Sequence, residues 1–239
     1  MDNFKQTRLH PDILKAITKM GFETPTPIQA KTIPHLMASA HDLIATAQTG
    51  TGKTAAFGLP SIHLTDIEDR RTQTLVLCPT RELCIQITKD LGNFSKYING
   101  MNILAVYGGA SIQSQIKSLK KGAQIVIGTP GRTKDLIKRK KLKLNNISRV
   151  VLDEADEMLT MGFKEDLEMI LAQTPQEKQT LLFSATMSKR VVGITKSYTH
   201  SVENHTPFTI DRSRSNRISP NWNGENSRVW STLYPFDQY

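Results

Sequence analysis

The sequence predicts an α/β domain, a mainly parallel sheet with helices on both faces, followed by an irregular C-terminal tail. Three observations predict it. Through residues 1–198, short apolar runs alternate with longer stretches of helical spacing, as strands joined by crossover helices do. The runs are followed in turn by polar or glycine-rich residues, which gathers chemistry at the carboxyl edge, where open α/β sheets bind ligands. Near residue 198 the composition changes abruptly.

In chain order, the opening Met1-Asp2-Asn3-Phe4-Lys5-Gln6 has no apolar core of a signal peptide. Pro27-Ile28-Gln29 reads as a proline-led helix start, which by itself leaves Gln29 on the surface. Strands are expected at 43–47, 74–78, 102–107, 124–128, 149–152 and 180–183, and helices between them, among others at 81–98 and 112–120. The residues that follow these strands are Gln48-Thr49-Gly50, Pro79-Thr80-Arg81, Gly108-Gly109, Thr129-Pro130-Gly131, Asp153-Glu154 and Ser184-Ala185-Thr186. Met158, Met161, Phe163, Leu167 and Ile170 read as packing positions on the following helices, and Lys138-Arg139-Lys140-Lys141 with Lys143 as a solvated helix end and loop. His35, His41 and His63 show no ligand spacing.

The tail, 199–239, has no Lys, Ala, Met or Cys, yet holds both tryptophans, six Ser and five Asn without any period. Its four arginines balance four acids, so the formal net charge of +9 belongs to the first 198 residues. That charge suits a polyanionic partner such as nucleic acid without establishing one. No apolar run approaches the ~20 residues that span a bilayer. Cys78 and Cys84 have no metal-ligand partners nearby, and two free thiols imply a reducing, cytoplasmic setting.

Ala47-Gln48-Thr49-Gly50-Thr51-Gly52-Lys53-Thr54 lies between a strand and a helix, with Ala where the phosphate-loop pattern asks for a first Gly. Gly50 and Gly52 allow backbone N–H groups to converge on phosphate oxygens, and the helix N-terminus adds partial positive charge. Lys53 is expected to reach the β- and γ-phosphates and Thr54 to hold Mg²⁺. Asp153, at a strand end 100 positions after Lys53, suits the same ion through water, and Glu154 suits a base for the attacking water. The other reading of each is structural: a glycine turn capping one helix, and an acid (Asp153) capping another.

From Phe4 to about Tyr198 the chain resembles the DEAD-box RNA helicase family. The residues that carry the resemblance are Gly21-Phe22-Glu23-Thr24-Pro25-Thr26-Pro27-Ile28-Gln29 with the upstream Phe4, the phosphate loop, Pro79-Thr80-Arg81-Glu82-Leu83, Gly108-Gly109, Thr129-Pro130-Gly131-Arg132, Asp153-Glu154-Ala155-Asp156 and Ser184-Ala185-Thr186. The resemblance implies a RecA-like ATP-binding domain at 1–198. It implies that Phe22, Thr24 and Gln29 serve the adenine, with Phe22 stacking and Gln29 reading its amino and ring nitrogens. It implies that Pro79, Thr80, Arg81, Gly108, Gly109, Thr129, Pro130, Gly131 and Arg132 touch RNA, and that Ser184 and Thr186 couple the two sites through Asp156. Helix starts and glycine turns suit backbone contact without base reading, so binding is expected to be sequence-independent and salt-sensitive.

The family core also has a second domain carrying arginines for phosphoryl transfer, and the only arginines beyond Arg190 here lie in the tail. The expectation is therefore a monomeric ATP- and RNA-binding half of a helicase, nearly inactive by itself. The change at residue 198 suggests a natural tail or a shifted reading frame. A non-catalytic nucleotide- and RNA-binding fragment and a DNA-directed relative are the other readings. The Asp-Glu-Ala-Asp spelling disfavours the last.

Overall fold

Among the described residues, six of the seven strands are four- to six-residue apolar segments lying where the apolar runs lie: β1 Leu43–Thr46, β2 Thr74–Leu77, β3 Ile103–Val106, β4 Ile125–Gly128, β5 Arg149–Leu152 and β6 Gln179–Ser184. A two-residue strand, β7 (Phe208–Thr209), runs beside Ala45 and Thr46. The computed structural model describes residues 3–198 and the backbone of Phe208 and Thr209. Apart from that pairing, the expectations placed on the tail lie outside the described residues.

The strand order is β3-β4-β2-β5-β6-β1-β7 and every pairing is parallel. Parallel neighbours need crossovers. The helices that supply them and flank the sheet are α1 Pro11–Lys19, α2 Pro27–Ala38, α3 Lys53–His63, α4 Arg81–Phe94, α5 Ile112–Lys121, α6 Pro130–Lys138, α7 Ala155–Thr160, α8 Lys164–Leu171 and α9 Lys189–Tyr198. A turn of 3-10 helix, Phe4–Thr7, precedes them. Proline sits in the first turn of α1, α2 and α6, where its missing N–H costs nothing. The Thr80 hydroxyl accepts the Leu83 N–H to start α4. That helix stops at Phe94, short of the expected 98, where the Ser95 hydroxyl turns back onto the Leu91 carbonyl.

Alternation along the strands divides the core in two. Val76, Val151, Leu181 and Phe183 face one layer with Phe57, Ile87 and Leu91 of α3 and α4. Leu75, Leu77, Val150, Leu152 and Leu182 face the other with Leu136, Met158, Leu167 and Val191 of α6–α9. Met158, Leu167 and Ile170 are fully buried and Phe163 is half-buried, as expected, but Met161 is exposed. It caps the C-terminus of α7, beyond the last helical residue. Among the described residues no helix is long and apolar enough to cross a membrane.

Candidate functional site

Because all strands run the same way, the loops after β1, β2, β4, β5 and β6 emerge at one edge. The loops after β1 and β5 are separated only by β6, roughly 10 Å at strand spacing, and the Lys53 side chain spans the gap. Its ammonium donates to the Ala47 carbonyl at 3.1 Å and lies 3.9 Å from Asp153 Oδ1. Both side chains are buried. The loop that carries Lys53 needs its glycines: Gly50 and Gly52 have φ of 77° and 93°, in the left-handed region that side chains avoid. A Cβ on Gly52 would also fall 2.4 Å from Gln29 Nε2.

Gln29 is buried rather than on the surface. Its Oε1 accepts the Thr26 N–H at 2.9 Å, half of a capping box, and its Nε2 donates to the Gly52 carbonyl at 3.1 Å. A carboxamide has two donors and two lone pairs, so one of each remains. Phe22 packs between Phe4 and Phe94, ring centroids 6.0 and 5.9 Å away. Phe22, Gln29, Thr49, Gly50, Gly52, Lys53, Thr54, Asp153 and Glu154 together line one cleft of about 380 Å³. Thr24, Gln48 and Thr51 stand outside that lining. Met20, Leu83, Asp90 and Phe94 also line it. Leu83 belongs to a segment that carries the resemblance, whereas Met20 at the end of α1 and Asp90 and Phe94 in α4 gave no signal of a site.

Burial pushes the Asp153 carboxyl up to about 6, against the pull of the Lys53 charge. Its Oδ1 is buried without a hydrogen-bond partner among the described residues. An orphaned buried carboxylate oxygen is costly unless a ligand completes it, and with the Thr54 hydroxyl in the same cleft the donor set fits Mg²⁺. Asp153 does not cap α7. Glu154 occupies the cap, in a left-handed conformation (φ 54°, ψ 51°), strain of the kind that functional sites retain.

The two residues just past β6, Ala185 and Thr186, reach the acidic motif. The Thr186 N–H and hydroxyl each donate to Asp156 Oδ2 at 2.9 Å, and the Ala185 N–H donates to Oδ1 at 3.4 Å. Partial burial raises the Asp156 pKa, but these hydrogen bonds outweigh it and hold the carboxyl below its ordinary value. Ser184 spends its hydroxyl on the Thr186 carbonyl and accepts the Ala47 N–H on its own carbonyl, so β6 connects the root of the phosphate loop to Asp156.

A second cluster forms beyond β2, β3 and β4. The Arg81 guanidinium lies 5.7 Å from the Tyr107 ring centroid, and a Cβ on Gly109 would come 3.1 Å from its Nη1. Arg132 Nη1 donates to the Ala110 carbonyl and to Gln115 Oε1, and Gln115 Nε2 donates to the Tyr107 carbonyl. Arg81, Gly108, Gly109 and Arg132 are thus brought together, beside Thr80 and Thr129 at the starts of α4 and α6. Pro79 and Pro130 are buried and fix the turns. Sequence reasoning missed Gln115, whose role depends on contacts with no periodic signature.

A helix-flanked parallel sheet with a glycine loop, a buried lysine and a buried acid at its carboxyl edge defines a RecA-like P-loop domain. Residues 26–194 match the DEAD/DEAH box helicase family model, and the chain belongs to that family. It is 53% identical over 203 residues to the ATP-dependent RNA helicase CshA of Listeria monocytogenes, covering 85% of this chain and 39% of that protein. It is 47% identical to the ATP-dependent RNA helicase DeaD of Mycobacterium tuberculosis, covering 87% and 36%. Among solved structures, a DEAD box protein from Methanococcus jannaschii superposes with a TM-score of 0.82 at 42% identity, covering 87% of this chain and 56% of that one. The chain therefore spans little more than a third of the curated relatives' length.

Proposed function

We propose that this chain is the ATP- and RNA-binding part of an ATP-dependent RNA helicase. One observation carries the proposal: the phosphate loop, the Gln29 segment and the Asp153-Glu154 pair line a single cleft. In this reading Phe22 stacks on the adenine, while Gln29 offers it the remaining amide proton and lone pair. The backbone of Gly50–Gly52 and the Lys53 ammonium hold the phosphates. Thr54 and Asp153 hold Mg²⁺, which when bound offsets phosphate charge. Glu154 orients and deprotonates the attacking water. Asp156, clasped by Thr186, passes the state of this cleft to β6. Arg81, Arg132 and the turns at Gly108-Gly109 and Thr129-Pro130-Gly131 grip the RNA backbone without reading bases.

Duplex unwinding or remodelling of RNA–protein complexes belongs, in this proposal, to the longer proteins of which the chain matches a part. An arginine finger contributes ~10³–10⁵ in rate, and residues 1–198 offer none from a second domain. The isolated chain then binds ATP and hydrolyses it very slowly, working as a monomer in the cytoplasm, where its buried free cysteines stay reduced.

Calorimetric titration of the chain with ATP and GTP tests the site. Lys53→Ala is expected to weaken both nucleotides by roughly tenfold or more, the loss of a charge-assisted contact. Gln29→Ala is expected mainly to erase the preference for ATP. Unchanged affinities in both variants would remove the assignment.

A further inference from the structure

The opposite, amino edge of the sheet carries a basic groove that the helicase motifs do not use. It holds about 590 Å³ and draws Arg70, Arg71, Lys120, Lys121, Lys141 and Lys143 around one concavity. All six are exposed. Arg70 and Lys120–Lys121 also border an adjoining hollow that holds Glu68. Arg71 is paired with Asp69 at 2.7 Å, while Arg70 and the four lysines make no ion pair among the described residues. Lys120 and Lys121 end α5 and so complement its negative pole. The others come from loops, for which that explanation is not available.

The loops that form this edge are tied together by two buried glutamines. Gln73 Nε2 donates to the carbonyls of Asp66 and Asp69, and its Oε1 accepts the Asp66 N–H. Gln124 Nε2 donates to the carbonyls of Ile67 and Gly100, and its Oε1 accepts the Asn102 N–H. Asn146 Nδ2 donates to Asp69 Oδ2 at 3.0 Å, closing one wall onto the other. Gly122, at φ 95°, lets the α5 end approach so closely that a Cβ there would lie 2.7 Å from Arg70 Cβ. Like charges held in a pre-formed concavity repel one another and favour a polyanion. No aromatic side chain lines the groove, so it lacks the stacking platform that single strands use. A duplex keeps its base faces stacked inside and presents mainly phosphate and sugar to a basic groove.

We propose that this groove binds the phosphate backbone of duplex RNA, independently of nucleotide and apart from the motif-lined edge. The two edges are separated by the length of a four-residue strand, roughly 13 Å. The inference rests on the RNA-binding reading above and extends it to a second surface.

The test is fluorescence anisotropy with the full chain and no nucleotide, over a salt series. The probes are a labelled blunt-ended RNA duplex, labelled oligouridine, and poly-glutamate as a competitor. The variant K120Q/K121Q/K141Q/K143Q changes only exposed side chains. It is expected to weaken duplex binding at least tenfold at low salt and to flatten the slope of log K against log salt by about 2–4, at ~0.9 per phosphate contact. Arg81→Gln is expected to weaken oligouridine and leave the duplex slope in place. An unchanged duplex affinity and slope in the quadruple variant, with oligouridine still sensitive to Arg81→Gln, overturns this inference alone. Competition by poly-glutamate as effective as that of unlabelled duplex overturns the RNA assignment of the groove. A chain that binds neither RNA overturns both readings.

Discussion

At Asp153 burial and the proposed metal-binding role pull against each other. The folded chain holds the carboxyl's pKa near 6 against an ordinary value of 3.8, so between those values folding takes up a proton and stability falls as pH rises. The full shift corresponds to roughly 3 kcal/mol of destabilisation at neutral pH. Asp153→Asn removes the buried charge but leaves an amide where Oδ1 has no hydrogen-bond partner, which offsets part of the gain. We therefore expect the metal- and nucleotide-free variant to be about 1–2 kcal/mol more stable than wild type at pH 7.5. The advantage should shrink as pH falls toward 3.8, and the stabilisation by Mg²⁺ with nucleotide should disappear; thermal melts at several pH values check each part. The convergence of Gly50, Gly52, Lys53 and Thr54 on one cleft was legible in the sequence, because they sit at the fixed offsets of a phosphate-loop pattern. The burial of Gln29 was not. It depends on a hydrogen bond to Gly52 across 23 positions, which leaves no trace in local periodicity.

Among the elements, the strands were the most legible, since a strand covered on both faces reads as an unbroken apolar run. β5 and β2 occupy or nearly fill their expected segments. The ties at strand ends were not legible, because Gln73, Gln115 and Gln124 look like surface glutamines until the loops that they hold are in place. The clasp between β6 and α7 was expected from resemblance, and the geometry supplies its physical content in three hydrogen bonds to Asp156. Because the Asp156 pKa is lowered, this stabilisation is present above the ordinary carboxylate range and is lost as pH falls through the lowered value. Asp156→Ala should destabilise the chain by about 1–3 kcal/mol, measured by urea unfolding at pH 7. Nucleotide affinity should change less than in Lys53→Ala, since Asp156 does not line the cleft. An Asp156→Ala chain as stable as wild type would show that the clasp is idle.

At the scale of the whole sheet, the proposed roles fall at its two edges: the cleft and the Arg81–Arg132 cluster at the carboxyl edge, a basic groove at the amino edge. The division follows from parallel topology, which sends every strand-to-helix loop the same way. The chain alone should release phosphate from ATP at a rate indistinguishable from background under saturating RNA, and robust turnover would contradict the need for arginines from a second domain. Everything proposed for the cleft requires the loop ending at Thr54 and the acid at Asp153 to flank one ion. The most direct measurement is a crystal structure of the chain with Mg²⁺ and a non-hydrolysable ATP analogue. One ion is expected about 2.1 Å from Thr54 Oγ1, joined to Asp153 directly or through a single water, with the triphosphate along Gly50–Lys53. A triphosphate bound elsewhere, or an ion beyond the reach of either residue, would contradict it.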